Sequence, residues 1–152
     1  MTSLQRLRPE IADFTAYSPG LSIEEIKERY GLAVVCKMAS NENPLGTSPL
    51  VKEAISRYAP FAFRYPRSGC PELTQALADF LQVPQECVVV GNGSDELIDL
   101  LIRTTLRPGQ ENMVVFDPSF SIYRLQAALC GVETRQVPLN ANLAFDFDQL
   151  LA

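Results

Sequence analysis

The stretch Val88-Val89-Val90-Gly91-Asn92-Gly93-Ser94-Asp95-Glu96-Leu97-Ile98 restricts what this chain can fold into more than any other. Three successive β-branched residues suit a buried strand, the two glycines permit a sharp turn, and Ser94 or Asp95 can cap the helix that follows. Strand, tight turn and helix start in that order predict an anion site. Backbone N–H groups at a helix N-terminus have no intrahelical partner and lie at the positive end of the helix dipole, so a phosphate docks there readily.

The surrounding pattern predicts an α/β fold. Strand signals over 87–90, 113–116 and 132–137 alternate with helical ones from Ser94 to about Leu106 and from the loop Asp117-Pro118-Ser119-Phe120 to about Cys130. Alternation at this spacing implies a βαβαβ unit of parallel strands joined by crossovers, with a ligand at the strands' carboxyl ends. The two loops at those ends are Gly91 to Asp95 and Asp117 to Phe120.

Upstream, residues 1–20 carry Pro9, Pro19 and Gly20 with little periodicity and read as an arm, in which Tyr17 is locally an aromatic that packs it down. Ser22 and Glu25 have capping-box spacing, and Gly31 is placed to end the helix they open. Leu32 to Met38 is a β-prone run leading into the polar loop Asn41-Glu42-Asn43-Pro44-Leu45-Gly46. Ser48 and Pro49 open a second helix with a predicted buried stripe of Val51, Ala54, Ile55 and Tyr58, stopped by Pro60. The loop Arg64-Tyr65-Pro66 holds an aromatic that is either packed or a phosphate or ligand contact. Pro71 opens a third helix whose predicted apolar face is Leu73, Ala76, Leu77, Phe80 and Leu81. At the other end, Asp146 or Asp148 starts a helix with no stop signal after it, and a three-stranded sheet lacks cover on both faces. The expectation is a fragment of a longer protein.

Composition narrows the chemistry. Of 152 residues, 47% are hydrophobic and 20% charged, as in a soluble globular protein, and the net charge of -5 gives no basic footprint for nucleic acid. No apolar run approaches the roughly 20 residues that span a bilayer, and no signal-peptide core follows Met1, so a cytoplasmic location is expected. Cys36, Cys70, Cys87 and Cys130 lie far apart and there are 0 histidines, which argues for free structural thiols, no metal site and no Ser-His or Cys-His nucleophile.

Which phosphate the turn takes is bounded by what is missing. The sixth position of the dinucleotide pattern G-x-G-x-x-G is Glu96 instead of a small residue, and no G-x-x-x-x-G-K-[ST] occurs. A monophosphate with a flat ring that Phe120 stacks on remains open, as does a plain β-α turn with Phe120 in the core.

Four blocks then carry a resemblance. Tyr17-Ser18-Pro19-Gly20, Lys37-Met38-Ala39-Ser40-Asn41-Glu42-Asn43-Pro44-Leu45-Gly46, Arg64-Tyr65-Pro66 and Gly91-Asn92-Gly93-Ser94-Asp95-Glu96-Leu97-Ile98 resemble, in order and approximate spacing, the histidinol-phosphate aminotransferases, class I/II-type pyridoxal-phosphate enzymes of fold type I. The resemblance covers nearly the whole chain and about the N-terminal two-fifths of such an enzyme. It implies an arm and small-domain or loop segment over 1–46 and, over 47–152, the incomplete start of the three-layer large domain that binds pyridoxal 5'-phosphate.

Carried over by position, the resemblance implies that the amides of Ser94 and Asp95 bind the cofactor phosphate, with Glu96 in the same cofactor-binding motif. Phe120 matches the aromatic that stacks on the pyridine ring, and Tyr65 the tyrosine that reaches the cofactor phosphate of the partner in a homodimer. Tyr17 and Asn43 match substrate-binding positions. The family's Schiff-base lysine has no counterpart: Lys27, Lys37 and Lys52 are the only lysines, and none lies in that motif. The chain alone is therefore expected not to turn over. The same front motifs resemble threonine-phosphate decarboxylases and aromatic aminotransferases, and a non-catalytic truncated remnant is the rival from another class.

Overall fold

The computed structural model describes residues 8, 11, 14–17 and 20–151. Pro9, Ser18 and Pro19 of the predicted arm lie outside the described residues. The chain divides into two compact units, one of residues 18–88 and one that combines the segment up to Tyr17 with Val89–Ala152.

In the unit of residues 18–88, local chemistry sets the helix ends. α1 spans Ile23–Tyr30, where Ser22 Oγ accepts from the Glu25 amide at 3.1 Å and Glu25 Oε2 accepts from the Ser22 amide at 2.7 Å. Both halves of the capping box are made. Gly31 ends the helix at φ 65°, the left-handed conformation that costs glycine least. α2 spans Pro49–Tyr58 and α3 Pro71–Leu81, each with proline at its first position, where the missing N–H is not needed.

Several expectations for this unit are corrected. Val51, Ala54, Ile55 and Tyr58 are all exposed, so α2 presents its apolar stripe outward. Periodicity identifies an apolar face, but only a covering partner buries it. As expected, α2 ends just before Pro60, which sits in a single 3₁₀ turn, Ala59–Phe61, that tolerates its lack of an N–H. On α3 the buried pair is Thr74 and Ala78, with Leu77 half-buried, whereas Leu73, Ala76, Phe80 and Leu81 are exposed. Thr74 is drawn inward by hydrogen bonds: Gln85 Nε2, from the 3₁₀ turn Gln85–Cys87, donates to its Oγ1 at 2.9 Å, and Oγ1 lies 3.1 Å from the Pro71 carbonyl.

Two predicted strands are absent from the described residues. Leu32 to Met38 forms no ladder, and of Cys87 to Val90 the first residue belongs to a 3₁₀ turn while Val88 is extended at φ -111°, ψ 120° without a strand partner. A β-prone run becomes a strand only when a neighbour takes up its N–H and C=O groups.

The second unit keeps the predicted alternation. α4 (Gly93–Thr105), β1 (Asn112–Asp117), α5 (Ile122–Cys130), β2 (Glu133–Pro138) and α6 (Phe147–Leu151) follow in order. β1 and β2 pair in parallel with Asn112 opposite Glu133 and Asp117 opposite Pro138, giving two of the three expected strands of an α/β sheet. The core is Ile102 of α4, Ala127 and Cys130 of α5, and Val132, with Ile98, Leu106 and Met113 packed against it. Gly131 ends α5 at φ 71°, and its carbonyl accepts from the Gly109 amide at 3.1 Å, tying the turn before β1 to the turn before β2. Asp146, not Asp148, opens α6: its Oδ1 accepts from the Gln149 amide at 3.0 Å.

Candidate functional site

The glycine turn is built by two glycines for two different reasons. Gly93 has φ +83°, which disfavours any residue with a side chain. Gly91 instead lacks room: a Cβ there would stand 2.9 Å from Leu97 Cδ2 and 3.0 Å from Glu96 Oε2. The turn therefore folds tightly back onto the first residues of α4.

Neither Ser94 nor Asp95 caps that helix. Asn92 occupies the cap position and Gly93 the first helical one, so Ser94 and Asp95 are the second and third helical residues, and no side chain caps. Helix entry is set by the glycine that can adopt φ +83°, which moves the cap two residues earlier than side-chain preference alone suggests. The consequence is functional. Among the described residues no acceptor is bonded to the amides of Gly93, Ser94 or Asp95, and these N–H groups stand free at the positive end of a 13-residue helix. Glu96 reaches back, and its Oε2 accepts from the Asn92 amide. Ser94, Asp95 and Glu96 are all exposed.

In the same unit Phe120 lies in the loop between β1 and α5. It is 44% exposed and meets Tyr123 edge-on, with ring centroids 5.8 Å apart. Both rings line an open apolar hollow of about 540 Å³ with Met113, Phe116, Pro118 and Phe145. The hollow is continuous with an aromatic cluster in which Phe116 packs on Phe145 at 4.8 Å and on Phe147 at 5.6 Å. Asp117, at the end of β1, stands 4.0 Å from Arg124. Tyr123 and the Phe145-x-Phe147 pair are not singled out by the sequence motifs, although alternating aromatics at the start of α6 are a visible signal. Phe120 is thus not sealed into the core, and a face of its ring remains available.

Tyr17, also in this unit, is half exposed. Asn43 and Tyr65 belong to the unit of residues 18–88. Asn43 is engaged in its own loop, with Oδ1 accepting from the Leu45 amide at 3.0 Å and its carbonyl accepting from Gly46 at 3.1 Å. Lys37 closes the same loop through an ion pair with Glu42 at 2.6 Å. Tyr65 is 99% exposed, so of its two readings the packed one does not hold. Its neighbour Arg64 lies over the rings of Phe61 and Phe63 at 5.3 and 5.2 Å. No helix among the described residues is long and apolar enough to cross a membrane.

The free amides at the start of α4 and the exposed ring of Phe120 belong to one unit of a chain that has relatives among known proteins. The family model for aminotransferase class I and II matches residues 33–152. The chain belongs to this family. It is 61% identical over 142 residues to the histidinol-phosphate aminotransferase of Oleidesulfovibrio alaskensis, an alignment that takes in 93% of this chain and 37% of that protein. The histidinol-phosphate aminotransferase of Shouchella clausii is 41% identical over 145 residues, 95% of this chain and 39% of its own length. The fold matches that of the crystal structure of histidinol-phosphate aminotransferase from Sinorhizobium meliloti in complex with pyridoxal-5'-phosphate. The TM-score is 0.81 at 24% identity, over 96% of this chain and 38% of that one. The chain thus spans less than two-fifths of the length of these relatives.

Proposed function

We propose that this chain is the N-terminal part of a pyridoxal-phosphate aminotransferase that exchanges the amino group of histidinol phosphate with 2-oxoglutarate, giving imidazole-acetol phosphate and glutamate. The observation that carries the reading is the set of unpaired amides at Gly93, Ser94 and Asp95, a cradle for a dianionic phosphate monoester. The residues present fit the cofactor: the cradle takes its phosphate, and the exposed face of Phe120 suits a pyridine ring. When bound, the cofactor supplies the electron-withdrawing ring on which amino-group transfer depends.

What this chain contributes is binding and orientation. The amides of Ser94 and Asp95 fix the phosphate without a side-chain cation, so the hold is directional. Phe120 shields one ring face from water through its edge-on support by Tyr123. Tyr65, fully open to solvent, is suited to reach the phosphate bound by a second copy in a homodimer, and Tyr17 and Asn43 belong to the substrate side. In this reading residues 1–46 form the arm and loop segment and 47–152 the beginning of the cofactor domain, in a cytoplasmic enzyme acting on small molecules. In this reading the lysine that would hold the cofactor covalently is supplied from outside these 152 residues, since none of Lys27, Lys37 and Lys52, the only lysines, lies in the family's Schiff-base motif.

The test compares pyridoxal 5'-phosphate with pyridoxal on the purified chain, followed by quenching of tyrosine fluorescence. Saturable binding of the phosphorylated form alone is expected, with no adduct on a lysine. Equal binding of both forms would remove the cradle from the reading. On the substrate side, the coding sequence beyond Ala152 should specify a lysine in a Ser-x-x-Lys context, and the protein it encodes should prefer histidinol phosphate over threonine phosphate and aromatic amino acids.

A further inference from the structure

We propose that Glu96 is a positioning residue of the phosphate cradle, a latch that holds the turn open to an anion without touching the anion itself, and that Gly91 is glycine to admit this latch. The inference rests on the cradle reading above and assigns within it a role that motif position alone does not give.

Three observations carry it. Glu96 Oε2 accepts from the Asn92 amide, the one N–H at the start of the turn that is engaged while those of Gly93, Ser94 and Asp95 stay free. The same oxygen lies 3.0 Å from where a Gly91 Cβ would stand, and Leu97 Cδ2 at 2.9 Å bounds the other side of that space. A side chain here would therefore have to displace the Glu96 carboxylate and the end of Leu97. Finally, Asn92 provides no side-chain cap, so the carboxylate of Glu96 is the side-chain contact that fixes the entry of α4.

The chemistry follows. A turn containing two glycines has many conformations in the free chain, and ordering it on binding costs backbone entropy for each residue fixed. A carboxylate bound to the Asn92 N–H orders the turn beforehand, so three amides point outward together before any anion arrives. The Glu96 carboxylate is committed to the Asn92 amide and lies against the Gly91 side of the turn.

The test needs no ligand in its first arm. Amide hydrogen exchange of the full 152-residue chain, resolved by NMR, should find Asn92 protected and Gly93, Ser94 and Asp95 unprotected. Glu96→Ala should remove the protection at Asn92 while leaving that of Ile102 and Ala127 in place, and Glu96→Gln, which keeps a carbonyl acceptor, should restore most of it. In the second arm, Glu96→Ala should weaken pyridoxal 5'-phosphate binding about tenfold, the loss expected for one charge-assisted hydrogen bond, whereas Glu96→Gln binds at least as well as the original chain. Unchanged exchange at Asn92 in Glu96→Ala overturns the latch and leaves the cradle reading intact. A Glu96→Gln variant as weak as Glu96→Ala would also overturn it, because that outcome marks a direct role for the charge. Absence of phosphate-dependent binding in the original chain, with Asn92 still protected by Glu96, would count against the cradle and the latch's purpose together.

Discussion

Gln85 Nε2 donates to Thr74 Oγ1 at 2.9 Å, joining the 3₁₀ turn after α3 back onto the one buried polar side chain of that helix among the described residues. Thr74 is 7% exposed, and its hydroxyl hydrogen faces the carbonyl of Pro71 at 3.1 Å. Thr74→Val keeps the volume and removes both bonds. We expect it to destabilise the unit of residues 18–88 by about 1–3 kcal/mol, the cost of stranding polar partners. Gln85→Ala, whose side chain is exposed, should cost less. Urea unfolding of both single variants and the double variant measures the pair, and strict additivity would show that the bond contributes nothing.

Gly91 and Gly93 should fail differently when replaced by alanine. At Gly91 the backbone is permissive and the new Cβ meets the ends of the Leu97 and Glu96 side chains, which must shift, at a cost of about 1 kcal/mol or less. At Gly93 nothing lies within 4 Å of the new Cβ, and the cost is conformational, about 1–2 kcal/mol for a left-handed alanine. Truncation of Leu97 to alanine should relieve Gly91→Ala in part and leave Gly93→Ala unchanged, as read by thermal denaturation.

The capping box of α1 predicts a pH dependence. Hydrogen bonds from the Ser22 backbone, then from its side chain, hold the Glu25 carboxyl below the usual glutamate range. A carboxyl whose pKa is lowered on folding contributes stability above its unfolded value, about 4.3, and that contribution is lost as the pH falls through the folded value. Helix protection in Ile23–Tyr30 should therefore drop below about pH 4, and Glu25→Gln should abolish the dependence. Ser22→Ala should cost about 0.5–2 kcal/mol of local stability near neutral pH.

The four thiols should separate by reactivity. Cys130 is buried in the α4–α5 core, and burial pushes its thiol pKa up, only partly opposed by the charge of Arg103. Cys36 and Cys87 are exposed. At pH 8, iodoacetamide should modify Cys36 and Cys87 first and Cys130 last, with mass spectrometry of peptides giving the order; early labelling of Cys130 would contradict the packing of α5 against α4.

Features written in short-range chemistry were legible in the sequence. Ser22 and Glu25 announce α1, Pro49 and Pro71 open their helices, Gly31 and Gly131 close theirs, and the alternation from residue 94 onward anticipates the parallel pairing of β1 with β2. Features that depend on a distant partner were not. The runs 32–38 and 87–90 have strand composition and no strand beside them, and the stripes on α2 and α3 have apolar spacing and no covering surface. At the candidate site the turn and its glycines were legible, while the role of Asn92 as cap was hidden because Gly93 fixes the helix entry through its backbone. The edge-on support of Phe120 by Tyr123 depends on the rotation of α5 after the loop, which three-residue spacing only suggests.

The parallel ladder between β1 and β2 joins residues a constant 21 positions apart, from Asn112 with Glu133 to Asp117 with Pro138. Such a short contour separation has a bearing on how the protein is made. A chain emerging from the ribosome presents β1, α5 and β2 as one segment, and closing a loop of this length needs only modest entropy. The strand pair and its helix are therefore expected to assemble during synthesis, soon after Pro138 clears the exit tunnel. They would then stand as the template on which later-synthesised segments dock.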